Sequence, residues 1–136
     1  MRRGKRNIVA AVMVTGAVLA ITGPAFAGSF TSYLSNVQVG FNSRTWQHGT
    51  GDNSSTAITL TQCGVGWQDS GGGATVQLTE EQPFPFPDIN RGQKGYTCNA
   101  GGTQYYGSQP AANYHFSIVS ISGGSEFSAD YNKVSW

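Results

Sequence analysis

Charge is scarce in this sequence: 11% of its 136 residues are Asp, Glu, Lys or Arg, and they are unevenly spread. Four of the eight cations, Arg2, Arg3, Lys5 and Arg6, crowd the extreme N-terminus. The other four, Arg44, Arg91, Lys94 and Lys133, are scattered among seven carboxylates and leave residues 28–136 at about −3. Displacing counterions from phosphates takes clustered cations, so the chain beyond the N-terminus is not built for nucleic acid. An anionic membrane surface is disfavoured on the same ground. Cysteine is limited to Cys63 and Cys98, and no second Cys or His stands at metal-ligand spacing, so no zinc site is expected. Histidine is limited to His48 and His115. Helical periodicity is missing throughout residues 28–136.

One long apolar run does exist. Ile8 to Ile21 follows the basic N-terminus and precedes Pro24-Ala25-Phe26-Ala27, a helix break with a small-x-small site. This predicts a helical, cleavable signal peptide over residues 1–27 and a secreted, extracellular product. The run is shorter than the roughly 20 residues that span a bilayer core, so no membrane association is expected after cleavage. Residues 28–136 then form one domain, long enough for a single core. Outside the cell Cys63 and Cys98 are expected to pair.

Period-two alternation recurs along this domain. Val37, Val39 and Phe41 alternate with polar neighbours. Ile58 and Leu60 share a face, opposite Thr59, Thr61 and Cys63. Val76 and Leu78 pair on one side, Gly95 to Cys98 is a short strand, and Tyr114, Phe116 and Ile118 line a longer one. Phe127, Ala129 and Tyr131 oppose Val134 and Trp136, and Phe30 to Leu34 adds a further short strand. The breaks at 48–53, 70–73, 99–102 and 122–124 are rich in Gly, Asn and Ser. Six to seven short strands with such turns predict an all-β, antiparallel β-sandwich with one disulfide.

The segment Pro83-Phe84-Pro85-Phe86-Pro87 is unlike the rest. Proline fixes φ and lacks an N–H, so this stretch cannot be a central strand and is expected to run as polyproline II. It is either a crossover whose phenylalanines dock on the core or an exposed apolar arm for a partner.

Catalytic chemistry finds little purchase. No Gly-x-Ser-x-Gly elbow marks a nucleophile, and the cysteines are expected to be oxidised. His48 reads as a solvated turn residue. Glu80 and Glu81 are adjacent, so in an extended chain they point oppositely and cannot by themselves flank a glycosidic bond. Asp88 and Glu126 would have to converge through the fold. Asp52-Asn53, or Asp88 with Asn90, could hold calcium but serve equally as turn formers. No enzyme activity, catalytic residue, metal or cofactor is expected.

The aromatics point to binding instead. Trp46, Trp67, Tyr105, Tyr106 and Trp136 fall at strand ends or in loops, where flat rings stack on sugars or anchor proteins. A domain this small needs most large aromatics for its core, so Trp46 and Trp136 are expected at the core or its rim and Tyr105-Tyr106 exposed. Tyr105-Tyr106 sits among small flexible residues, as in binding loops.

Phe41-Asn42-Ser43-Arg44-Thr45-Trp46, Asp52, the two cysteines and Tyr114-His115-Phe116 together resemble small secreted β-proteins of streptomycete-type bacteria. Among these the chain looks like the small adaptor subunit of umbrella toxin particles, secreted antibacterial assemblies. The resemblance spans nearly all of Phe30 to Trp136 and implies a binding and scaffolding role without catalysis. It makes Gly28 to Tyr33 a candidate arm added to a partner as a strand. Thr45-Trp46-Gln47-His48-Gly49 is similar to a segment of lactococcin-type bacteriocins, a five-residue match.

The expected function is therefore a secreted adaptor that links other secreted protein subunits of an antibacterial toxin complex in interbacterial antagonism. Phe30, Tyr33, Phe84, Phe86, Tyr105 and Tyr106 are the candidate partner-binding residues. A free-standing carbohydrate- or cell-wall-binding module, with a glycan as partner, and a small autonomous toxin or inhibitor are the alternatives.

Overall fold

A computed structural model describes residues 27–67 and 71–136; the predicted leader, apart from Ala27, lies outside the described residues. Eight strands follow one another: β1 (Ser29–Val37), β2 (Trp46–His48), β3 (Ser55–Val65), β4 (Gly73–Glu81), β5 (Ile89–Thr97), β6 (Gly102–Ser108), β7 (Ala112–Ser122) and β8 (Phe127–Ser135). They form two four-stranded antiparallel sheets, ordered β1-β8-β3-β6 and β2-β7-β4-β5. Only β4 and β5 are a hairpin; every other connection crosses between the sheets. Eight strands wound this way make a double-sheet jelly roll, the expected all-β sandwich with two more strands than the minimum expected.

The core lies between the sheets. Ile58, Leu60, Val76, Leu78, Phe116, Ile118, Phe127 and Val134 are buried, each from the inward set of an alternating strand. Full burial of one such side chain contributes roughly 1.5–3 kcal/mol. Cys63 of β3 and Cys98, just beyond β5, are bonded with their Cα atoms 4.9 Å apart. The disulfide therefore staples one sheet to the other.

Two tyrosines cross the same interlayer in opposite directions. Tyr96 of β5 donates its hydroxyl to the Ile58 carbonyl of β3 at 2.7 Å, and Tyr106 of β6 donates to the Val76 carbonyl of β4 at 2.9 Å. Both phenols are held well above their ordinary pKa, chiefly by burial.

Simple alternation fails in three places. Residues 37–42 are not one strand. The Phe41 N–H donates to the Gln38 carbonyl and Gly40 has φ 96°, so the chain turns from the first sheet to the second and leaves Val39 exposed. Cys63 shares the inner face with Leu60 rather than opposing it. Gln62 sits in the left-handed region at φ 52°, and the β3–β8 ladder runs from Thr61–Tyr131 to Cys63–Ala129 without it. Two residues instead of one then separate the inward positions on both strands, which turns Tyr131 away from Phe127 and Ala129 and out to solvent. Tyr105 and Tyr106 belong to a strand, β6, that the glycine-rich composition had suggested was a loop.

Candidate recognition surfaces

The Pro-Phe segment is neither polyproline II nor a crossover. It is the tip of the β4–β5 hairpin, where Phe84–Pro85 is cis and the Phe86 N–H donates to the Pro83 carbonyl at 3.0 Å. The base is closed by the Gln82 N–H, which donates to Asp88 Oδ1 at 2.9 Å. Phe84 is 96% exposed and Phe86 66%. Three prolines and these two bonds fix a tip that presents both rings to solvent. Apolar rings so fully exposed on a rigid support are uncommon on a free protein surface and mark interaction sites.

Of the other nominated residues, Tyr33 and Tyr105 are exposed, whereas Phe30 and Tyr106 are not free. Tyr33 on β1 and Tyr131 on β8 flank the same ladder step and face outward. Tyr105, opposite Ala57, lies on the opposite edge of that sheet. Tyr106 is 9% exposed and engaged across the core, which removes it from any docking surface. Phe30 packs on Trp46 at 5.8 Å and Trp136 at 6.1 Å, with the Arg44 guanidinium 4.7 Å above its ring. Gly28 to Tyr33 is likewise no loose arm: from Ser29 onward it is β1, paired along β8.

The carboxylates serve the fold. Glu80 is buried, paired with Arg91, whose Nε donates to Glu80 Oε2 at 2.5 Å. Glu81, pointing the other way, meets His115 Nδ1 at 2.9 Å and accepts from Thr45 Oγ1 at 2.6 Å. Both side chains, pointing oppositely as expected, are thus engaged within the fold. Asp88 lies in the β4–β5 loop and Glu126 in the β7–β8 loop, at opposite ends of the sandwich, so they do not converge. Asp52 accepts from the Ser54 N–H at 2.8 Å as a turn former, and Asn90, inside β5, accepts from the Gly92 N–H at 2.8 Å where the β4–β5 register shifts. Among the described residues no group of three or more His, Cys, Asp or Glu side chains could hold a metal ion.

His48 is the largest correction. It ends β2 at 1% exposure, edge-on to Tyr114 with ring centroids 6.1 Å apart. Neither of its nitrogens has a hydrogen-bond partner among the described residues, nor do Asp52 Oδ2, Thr56 Oγ1 and Trp46 Nε1. All five atoms fall between residues 46 and 56, in β2, the turn after it and the start of β3. The inward-outward-inward pattern Trp46-Gln47-His48 was the available signal, masked by the glycines that follow.

Sequence reasoning also missed a groove at the other end of the sandwich. Asn36, Val65, Gly66, Trp67, Gly123, Gly124, Ser125 and Glu126 line an open depression of about 460 Å³, and the Trp67 ring is fully exposed beside it. Its only sequence signal is a tryptophan placed in a glycine-rich turn. No family model, no curated protein and no solved structure matches this chain.

Proposed function

We propose that the chain is an exported, non-catalytic recognition protein whose partners are other secreted protein subunits. A place as adaptor within an extracellular antibacterial toxin assembly is the concrete form of this reading. The single observation that carries it is the rigid β4–β5 tip with Phe84 and Phe86 turned to solvent. Burying an exposed phenyl ring against a partner contributes about 25 cal/mol per Å² of apolar surface. The prolines have already ordered the loop, so little conformational entropy is lost on docking. Phenylalanine offers no hydrogen-bonding group, so the matching surface is an apolar pocket in a protein. Export is supported by the leader and by a disulfide of the kind that persists in oxidising compartments.

Size-exclusion chromatography of the producer's culture supernatant, followed by mass spectrometry, tests this. The expected result is co-elution in fixed stoichiometry with larger secreted proteins, lost in Phe84→Ser/Phe86→Ser while the melting temperature holds. Elution of the wild-type chain as a lone monomer would overturn it.

A further inference from the structure

The geometry points to a saccharide-binding site in the groove beside Trp67, selective for uncharged sugars. This goes beyond partner docking and uses the opposite end of the sandwich from the Pro-Phe tip. Three segments build the groove: the end of β1 at Asn36, the end of β3 with Gly66 and Trp67 just beyond it, and the β7–β8 turn. They are pinned to one another, because the Gly66 N–H donates to the Glu126 carbonyl at 2.9 Å and the Asn36 N–H to Ser128 Oγ at 2.8 Å. Before any ligand arrives, these bonds tie Gly66 and Asn36 to the start of β8 and the residue preceding it.

Its lining has the two features a pyranose needs. The first is a flat apolar ring, Trp67, on which the C–H face of a sugar stacks. The second is a set of uncommitted polar side chains. Asn36 Nδ2, Ser125 Oγ and the Glu126 carboxylate make no hydrogen bond to another described residue, so a donor, a hydroxyl and an acceptor are available to ligand hydroxyls. At Gly124 the absence of a side chain leaves room beside Val65. A methyl group at Gly124 would come within 2.7 Å of Val65 Cγ1. A volume of about 460 Å³ lies in the ordinary range for small-ligand sites, about 300–1,000 Å³.

Charge narrows the class. Among the described residues, Glu126 is the one charged residue lining the groove, and no Lys or Arg does. Phosphorylated, sulfated and uronic sugars meet a carboxylate with no cation to offset it, whereas neutral hexoses and N-acetylhexosamines do not.

Tryptophan fluorescence reads the site directly, because Trp46 is buried and Trp136 half-buried while Trp67 stands in water. The protein lacking its leader is titrated with cellotetraose, chitotetraose, mannotetraose, galactotetraose and tetragalacturonate. The expected result is a saturable blue shift with at least one neutral oligomer and none with tetragalacturonate. Trp67→Ala weakens binding by about tenfold or more, equivalent to about 1.4 kcal/mol, at an unchanged melting temperature. Isothermal calorimetry follows binding in that variant, and Glu126→Gln admits the uronate. Phe84→Ser/Phe86→Ser keeps the sugar response, which separates this site from the docking tip. No response to any neutral oligomer, tighter binding of the uronate by the wild type, or full affinity in Trp67→Ala would each overturn the assignment.

Discussion

Tyr96 and Tyr106 each tie a hydroxyl to a main-chain carbonyl of the opposite sheet, and burial keeps both phenols protonated. Burial, with the Glu80 carboxylate adding to it, also pushes Tyr114 up to about 12. The unfolded phenol ionises near pH 10. The stabilisation is therefore complete below about pH 10 and is lost as the pH climbs toward the folded values. Tyr96→Phe is expected to cost about 1 kcal/mol at pH 7, because it removes a buried hydrogen bond. In urea melts between pH 8 and 11.5, that deficit should shrink as the wild type loses its phenol contribution. A constant gap would show that Tyr96 does not carry it.

Asp52 shifts the other way. Hydrogen bonds from Ser54, the main-chain N–H foremost, hold its carboxyl below the ordinary value, with nearby His48 a lesser cause. Its contribution is present above about pH 4 and lost as the pH falls through the folded value. Asp52→Asn should flatten the acid limb of the stability profile, measured by denaturant midpoint from pH 7 to 2. At His48 the expectation is the reverse of a catalytic residue. Replacing an unpartnered buried imidazole by an apolar side chain of similar size is near neutral, so His48→Leu should hold or raise the melting temperature. A loss above about 2 kcal/mol would mean that ordered water satisfies the ring, since buried water is costly to remove.

Among the elements, the β4–β5 hairpin separates support from tip. Val76 and Leu78 anchor β4 in the core, whereas Phe84 and Phe86 contact solvent. Phe84→Ser/Phe86→Ser should therefore change unfolding free energy by no more than about 0.5 kcal/mol, while Val76→Ala alone should cost about 2 kcal/mol or more. Equal losses from the two would place the rings in the core. The alternation in β4 and β7 was legible residue by residue, because no left-handed residue interrupts their inward sets at 74, 76, 78 and 114, 116, 118. β3 and β8 were half legible, because Gln62 adopts φ 52°. That residue type carries no mark of a slip, whereas a glycine would. In the candidate surfaces, the unusual composition of the Pro-Phe tip was visible, but the direction of its rings was not. Tyr105 and Tyr106 were indistinguishable by type, and strand alternation alone sent one outward and one into the core.

For the whole molecule, the winding of the chain makes the disulfide matter. With a single hairpin among seven connections, nearly every strand pairs with a partner distant in sequence, and cross-links over such distances act on the unfolded chain. The bond closes a separation of 35 residues, which in the chain-entropy model removes about 4 kcal/mol of unfolded-state freedom. Cys63→Ser/Cys98→Ser should lower the melting temperature by about 15 °C or more for a domain of this size. An unchanged calorimetric melt would show that the staple contributes nothing.

Sequence alone settled the fold class, the cysteine pairing and the inward residues of the regular strands. These follow from alternation, turn composition and the arithmetic of two cysteines, all of them local or nearly so. Tertiary structure decided the rest. It buried His48 and Tyr106, paired Glu80 with Arg91, separated Asp88 from Glu126, and gathered Asn36, Trp67 and Glu126 from three separate segments around one groove. The physical reason is that crossing between sheets joins residues far apart in the chain. Alternation sorts the residues of a regular strand into two faces, but at turns, hairpin tips and register slips the direction of a ring depends on the layer opposite it.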